Sequence, residues 1–402
     1  MTYEESIAWL YSTQTFGIKL GLENPSRLLR EYLAFPAHTQ KVIQVAGTNG
    51  KGSTCAFLDS LARATGLRTG LFTSPHLVSF RERIRVSTEM ISEEAVAQGL
   101  TELRDLVADW EHHPTFFELT LALAMRWFRN RQCDLIILEV GMGGRFDATT
   151  AVPADATVIT PIDLDHQKWL GGTIEEIAFE KASVAREGKP CLSSTQKPEA
   201  EKIIRQTANQ TRAPLTFVTQ PARGYPIGIP GTHQAENAAL ALEALHAINI
   251  HLSYDAVHHG LSSTRHPGRF EVTLYNDSPL ILDIAHNPHA TKSLVATLKS
   301  YARDKTPALI FGAAESKDIR QMLNLLEPHV SNIHLVPINS PRSVPPAELA
   351  TLTNQPSTQH PDLTSALDAT KDAALTLITG SAFLVGEMKA LLENETQLPS
   401  SQ

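Results

Sequence analysis

The chain has 402 residues, a length that suits two or three domains, and its 42% hydrophobic and 19% charged content excludes a largely disordered polymer. A net charge of −8 gives no broad basic footprint for nucleic acid, and no apolar run approaches the roughly 20 residues that a membrane span needs. Cys55, Cys133 and Cys191 are odd in number and far apart, which speaks against a disulfide framework or a thiolate zinc site. With no signal pattern at the acidic N-terminus, a cytoplasmic chain with buried free thiols is expected.

In chain order, Lys41–Ala46 reads as a short buried strand, a glycine loop follows, and 53–65 reads as a helix with Phe57, Leu58 and Leu61 on one face. A second strand fits 69–73. Helices fit 92–110, opened by Ser92, and 115–130. The run 133–140 is the clearest buried strand, 156–161 the next, and Thr173 with Glu176 forms a capping box that opens a helix to about Arg186. Alternation of strand and helix to about residue 265 predicts an α/β fold, a P-loop-type, mostly parallel sheet flanked by helices. A second, smaller α/β unit of Rossmann-like pattern is expected to follow, with strands near 271–274, 280–284, 308–311, 334–337 and 375–379. The predicted boundary gives domains 1–267 and 268–402, and a polar tail from Gln397 is expected to fray.

Strand, glycine loop and helix together present backbone N–H groups to an anion, so Gly47-Thr48-Asn49-Gly50-Lys51-Gly52-Ser53 is a candidate phosphate loop. Lys51 supplies a mobile cation for the outer phosphates, and Ser53 a hydroxyl near a metal. The spacing departs from G-x-x-x-x-G-K-[ST], because Val45 takes the place of the first glycine and Gly52 is extra. Glu139 ends the strongest strand, at the edge where parallel sheets bind ligands, and is a candidate metal ligand. His166, just past the next strand and beside Asp163 and Asp165, reads equally as a metal ligand or as a loop hydrogen-bonder. Lys181 beside Glu180 reads, by itself, as a surface charge pair. Arg145 and Arg269 are candidates to stabilise a transferring phosphoryl group. Asp283 and His286-Asn287-Pro288 suggest a second ligand-facing edge.

Together these segments resemble the folylpolyglutamate synthases and bifunctional dihydrofolate synthases of the Mur ligase superfamily. The loop 47–54 is similar to that family's short form, extra glycine included. Further matches are Thr73 to Leu77, Arg81 to Ile84, Phe116 to Glu118, Glu139 to Thr149, Leu164 to His166, Glu180 to Ala182, His233 with Gln234 and Asn237, Pro267 to Phe270, Asp283 to Pro288, Lys317 with Asp318, and Gly380 with Ser381. The resemblance implies that Thr48, Asn49, Gly50, Lys51, Gly52 and Ser53 hold ATP phosphates, with Asn237, Arg269 and Asp283 as further ATP contacts. It implies Mg2+ on Ser74, Glu139 and His166, a carbamylated Lys181, and catalytic roles for Lys51, Lys181, His166 and Arg269. It also implies a pterin pocket lined by Thr115, Phe116, Phe117, Glu118, Phe146, Asp147 and Ala148. The chain departs from the family pattern at Met142, Phe146, Asp163, Ser183 and Ile284.

The implied reaction is ATP-dependent ligation of L-glutamate to dihydropteroate and to reduced folates through an acyl phosphate, by a monomer that binds neither nucleic acid nor membrane. A monofunctional folylpolyglutamate synthase is the alternative, and a cell-wall Mur ligase a more distant one. A GTP switch is disfavoured because its Asn-Lys-x-Asp reader is missing from the sequence.

Overall fold

A computed structural model describes residues 1–16, 21–302, 305–315 and 317–398. It divides into two units. The first comprises Met1–Ser74, Arg81–Ile227 and Ala235–Thr264, and the second Pro75–Phe80, Gly228–Gln234 and Arg265–Gln402.

The first unit is built on strands β1 (Lys41–Ala46), β2 (Thr69–Phe72), β3 (Ile84–Val86), β4 (Glu89–Met90), β5 (Leu135–Glu139), β6 (Ala156–Ile159), β7 (Cys191–Ser194) and β8 (Leu215–Val218), in the order β4-β3-β2-β5-β1-β6-β7-β8. β3 pairs antiparallel with both β2 and β4, and the other pairs are parallel. β1, β2, β5 and β6 are buried nearly throughout, as continuous apolar runs covered on both faces should be. Register then places the site. Val45 lies opposite both Glu139 and Val158, and Phe72 lies opposite Leu138. Gly47, Ser74, Val140 and Thr160 therefore emerge along one carboxyl edge, where a parallel sheet offers its ligand crevice.

The helix Lys51–Ala64 buries every residue from Gly52 to Ala62, more than the single apolar face expected of it. The cause is a second helix, Tyr254–Ser263, packed against it. Ser60 Oγ donates to the Gly260 carbonyl at 2.7 Å, and a Cβ at Gly260 would come within 2.9 Å of Leu61 Cα.

The second unit has strands β9 (Glu271–Tyr275), β10 (Ser278–Leu282), β11 (Ala308–Phe311), β12 (Ile333–Leu335), β13 (Ser357–Gln359) and β14 (Thr376–Thr379), ordered β13-β12-β11-β14-β10-β9. Only β9 runs antiparallel, in a hairpin with β10. The sheet buries one apolar cluster on each face. The tail differs from the expected fraying. Gln397 Nε2 donates to the Leu77 and Phe383 carbonyls, each at 3.1 Å, and Leu398 N donates to Val78 O at 2.9 Å. Residues 399–402 lie outside the described residues. All three cysteines are buried free thiols. Among the described residues, no helix is long and apolar enough to cross a membrane.

The contact at Gly260 yields a test of this packing. Gly260→Ala is expected to lower the unfolding free energy by about 1–3 kcal/mol through overpacking, read as a lower urea midpoint. An unchanged midpoint contradicts the close helix approach.

Candidate active site

The phosphate loop leaves β1 through Gly47, at φ +141°, and enters its helix through Gly50, at φ +89°. Both need glycine for space as well as for conformation. A Cβ at Gly47 would lie 1.9 Å from Thr160 Oγ1, and one at Gly50 would lie 2.7 Å from Asn237 Oδ1. Asn237, buried on the helix Thr232–Ala247, thus stands directly on the loop. The N–H groups of Thr48 and Asn49 donate to the Pro161 carbonyl at 3.0 and 3.2 Å, and the Thr48 hydroxyl bonds to the backbone of Asp163. These donors brace the loop against the strand β6 exit. No side chain caps the helix at Gly50, so its first-turn N–H groups are the donors that face an anion. Ser53 is buried in that turn. Asp163, a departure from the family pattern, is paired with Lys197 at 2.7 Å.

Two amines converge on one oxygen. Lys51 Nζ lies 3.2 Å from the Gly47 carbonyl and 3.3 Å from that of Thr48, and Lys181 Nζ donates to Gly47 O at 2.8 Å. Lys181 is 4% exposed, so its reading as a surface charge pair is wrong. The helix Ile174–Ala182 turns Ile177, Ala178, Lys181 and Ala182 inward. Burial, aided by the Lys51 charge, pulls the Lys181 pKa down to about 7, against the opposing pull of Asp165, Asp147 and Glu180.

Glu139 is buried at the end of β5, where its Oε2 accepts from the Ser74 N–H at 3.1 Å. His166 follows β6 on the same sheet edge. It takes a left-handed conformation, its N–H donates to Asp165 Oδ1 at 2.9 Å, and its Nε2 lies 3.9 Å from Asp165 Oδ2. Among the described residues no three His, Cys, Asp or Glu side chains gather as a metal-holding group. A magnesium ion nevertheless suits what stands here. It takes few protein ligands, favours carboxylate and hydroxyl oxygens and retains water, and a carboxylate buried as Glu139 is gains from a cation.

The residues expected to line a pterin pocket divide by task. Thr115 and Glu118 form a capping box, with Thr115 N to Glu118 Oε2 at 2.6 Å and Glu118 N to Thr115 Oγ1 at 3.4 Å. Phe116 packs on Tyr11 and Phe117 on Phe72, with ring centroids 5.3 and 5.5 Å apart. Phe117 also fills the space over Gly141. Asp147 accepts from the N–H groups of Gly141, Met142 and Thr149, each at 3.0 Å, and from the Thr149 hydroxyl at 2.5 Å. It therefore shapes the loop 141–147, and Ala148 is buried behind it. Phe146, partly exposed, lies under the Arg145 guanidinium.

Arg83 carries a charge whose role sequence reasoning missed. It is fully buried, its guanidinium carbon lies 5.2 Å from the Phe116 ring centre, and burial lowers its pKa to about 10 despite Tyr11, Glu82 and Glu139. Its signals in the sequence are its place in the family-like segment Arg81 to Ile84 and a cation set against the apolar start of β3.

In the second unit, Asp283 accepts from the N–H groups of Phe270 and Ala285, both at 2.9 Å, and burial raises its pKa while Arg269 lowers it. Arg269 Nε is buried with no hydrogen-bond partner. Burial, with Arg269 and His289 nearby, lowers the His233 pKa to about 4. Ile284, in place of the family's glycine, packs against the space at Gly268.

Residues 45–192 match the Mur ligase middle domain, and residues 268–382 match the Mur ligase glutamate ligase domain. The dihydrofolate synthase/folylpolyglutamate synthase of Bacillus subtilis is 32% identical over 97% of this chain and 99% of its own. The folylpolyglutamate synthase of Lacticaseibacillus casei is 31% identical over 98% and 99%. Among solved structures, E. coli FolC in complex with DHPP and ADP superposes with a TM-score of 0.86 at 32% identity, covering 97% of this chain and 98% of that one. The bifunctional Yersinia pestis enzyme with AMPPNP and a manganese ion gives 0.88 at 32%, covering 98% of each.

The burial of Lys181 has a pH signature. Its folded pKa of about 7 lies below the ordinary 10.5. Between those values the unfolded chain holds a proton that the folded chain has released, so this residue's contribution to stability rises with pH. Lys181→Met is expected to be more favourable, relative to the parent, at about pH 6 than at about pH 9 in urea unfolding. A difference that stays constant with pH contradicts a buried, titrating amine.

Proposed function

Because this chain belongs to the dihydrofolate synthase/folylpolyglutamate synthase family and is an ATP-dependent ligase, we propose that it joins L-glutamate to dihydropteroate, and then to reduced folates, through an acyl phosphate. The single observation that carries this reading is the convergence of Lys51 and the buried Lys181 on the Gly47 carbonyl, at the sheet edge that also holds Glu139.

A carboxylate acylates an amine poorly because oxide is a poor leaving group. In the proposed reaction an acceptor carboxylate oxygen attacks the γ-phosphorus of ATP, and ADP leaves. The glutamate amine then attacks the acyl carbon, loses a proton, and inorganic phosphate departs. The chain's task is alignment and charge stabilisation. The first-turn N–H groups from Gly50 to Ser53 and the Lys51 amine would hold the phosphates, while Thr48 and Asn49 keep the loop in shape through Pro161. Ser74, Glu139 and His166 would hold magnesium, which when bound offsets charge on the transferring group. Asn237 flanks the loop. Arg269, with its unbonded Nε, offers a donor to an anionic group, and Asp283 holds the turn that carries it. Phe116, Phe117 and Phe146 supply aromatic surface for a pterin. The chain is taken to act as a monomer in the cytoplasm, and its buried free thiols suit a reducing compartment.

Lys181 is proposed to be carbamylated. At pH above about 7 much of its amine is neutral. A neutral amine attacks carbon dioxide, forms an N–C bond and releases one proton. Nζ keeps one N–H, so the contact with the Gly47 carbonyl can persist while two carbamate oxygens extend beyond it.

Release of ADP is expected with dihydropteroate plus glutamate and with tetrahydrofolate plus glutamate. Release with neither overturns the reading, and release with the second alone makes the chain a monofunctional polyglutamylase. Lys51→Ala is expected to lower kcat/KM by about 100–1000-fold, the usual cost of removing one donor to developing charge. Full turnover would contradict its role. Lys181→Ala is expected to lose activity and to regain part of it with added acetate or formate, and an activity that neither acid raises would contradict a carbamate.

A further inference from the structure

The two proposed acceptors differ by one charge. Dihydropteroate ends in the carboxylate that reacts. A folate ends in a glutamyl group whose γ-carboxylate reacts, while its α-carboxylate, a few bonds away, remains a free anion. Taking both acceptors at one site requires a cation that the folate reaction uses and the pteroate reaction does not.

Resting on the ligase reading above, we infer that Arg145 binds this α-carboxylate and so sets selectivity for folate over pteroate acceptors. Its position is the first ground. The Arg145 N–H donates to the Glu180 carbonyl at 2.9 Å. At the adjoining Gly144, a Cβ would lie 2.6 Å from that carbonyl and 3.1 Å from Lys181 Cα. The loop after Glu139 is therefore pressed onto the helix of Lys181, and Arg145 is the residue that leaves the contact.

Preorganisation is the second ground. The guanidinium carbon stands 4.2 Å from the Phe146 ring centre and 5.5 Å from that of Phe179. Two rings hold it without cancelling its charge. Among the described residues the acid paired with it is Glu180, which approaches only to 3.7 Å, beyond hydrogen-bond distance, and the Arg145 side chain is 43% exposed. An exposed pair of this kind contributes little in water. A carboxylate that meets both arms of the guanidinium fork outcompetes it. Nearby, Lys51 and Lys181 are bonded to the Gly47 carbonyl, and Arg83 is buried. Because Arg145 is bonded to Glu180 through its backbone, replacing the side chain leaves that loop contact in place.

Steady-state kinetics of the full chain with dihydropteroate and with tetrahydrofolate monoglutamate test the assignment. Arg145→Met is expected to raise KM for tetrahydrofolate about ten-fold or more, the loss of one charge-assisted pair. It should move KM for dihydropteroate by less than about two-fold. Arg145→Lys, which keeps charge but loses the fork, is expected to fall between parent and Arg145→Met for tetrahydrofolate. An equal loss with both acceptors, or none with either, overturns the assignment and leaves the ligase reading intact. A parent chain inert toward both acceptors overturns the two together.

Discussion

The carbonyl of Gly47 is the point on which the site depends. It receives the Lys181 amine at 2.8 Å and the Lys51 amine at 3.2 Å. It can sit there because Gly47 has no side chain to meet Thr160. Burial first, and then the neighbouring Lys51 amine, drive the more deeply buried Lys181 toward neutrality. The arrangement therefore sorts two chemically identical groups into different tasks. Lys51 stands at a helix N-terminus, whereas the deeper Lys181 has its pKa drawn down to about 7. Burial and neighbouring charge, rather than residue type, divide the work.

Both units also use a buried carboxylate to shape a turn. Asp147 gathers the N–H groups of Gly141, Met142 and Thr149, and Asp283 gathers those of Phe270 and Ala285. Each fixes the chain past the end of a strand, where the sheet's ladder no longer does so. Rigid loops at such edges keep donors aimed where charge will develop, which lowers the reorganisation required during reaction. The exposed side chains of the same segment, Arg145 and Phe146, are then free to meet substrate without carrying the fold.

Much of this was legible in the chain itself. β1 has the limits expected of it, and the caps at Ser92 and Thr173 are visible in the sequence because capping has a short-range chemical signature. β3, β4 and β13 escaped notice because two or three residues cannot display a period. Lys181, next to Glu180, reads as half of a surface pair, yet it is buried. The spacing Ile177, Ala178, Lys181, Ala182 puts it on the apolar stripe of its helix, and that signal was present. The proximity of Asn237 to Gly50 and the pairing of Asp163 with Lys197 join residues far apart in sequence, and only the folded chain brings them together.

The central claim is that the γ-phosphate of ATP activates an acceptor carboxylate. Transfer of an isotope tests it most directly. With acceptor labelled by 18O in its reacting carboxylate, the oxygen that bridges carbon and phosphorus leaves with phosphate when the amine attacks. Mass spectrometry of the released inorganic phosphate should find one labelled oxygen for each ADP formed. Phosphate without label, alongside amide product, would contradict the acyl phosphate and with it the role given to the loop at Gly47.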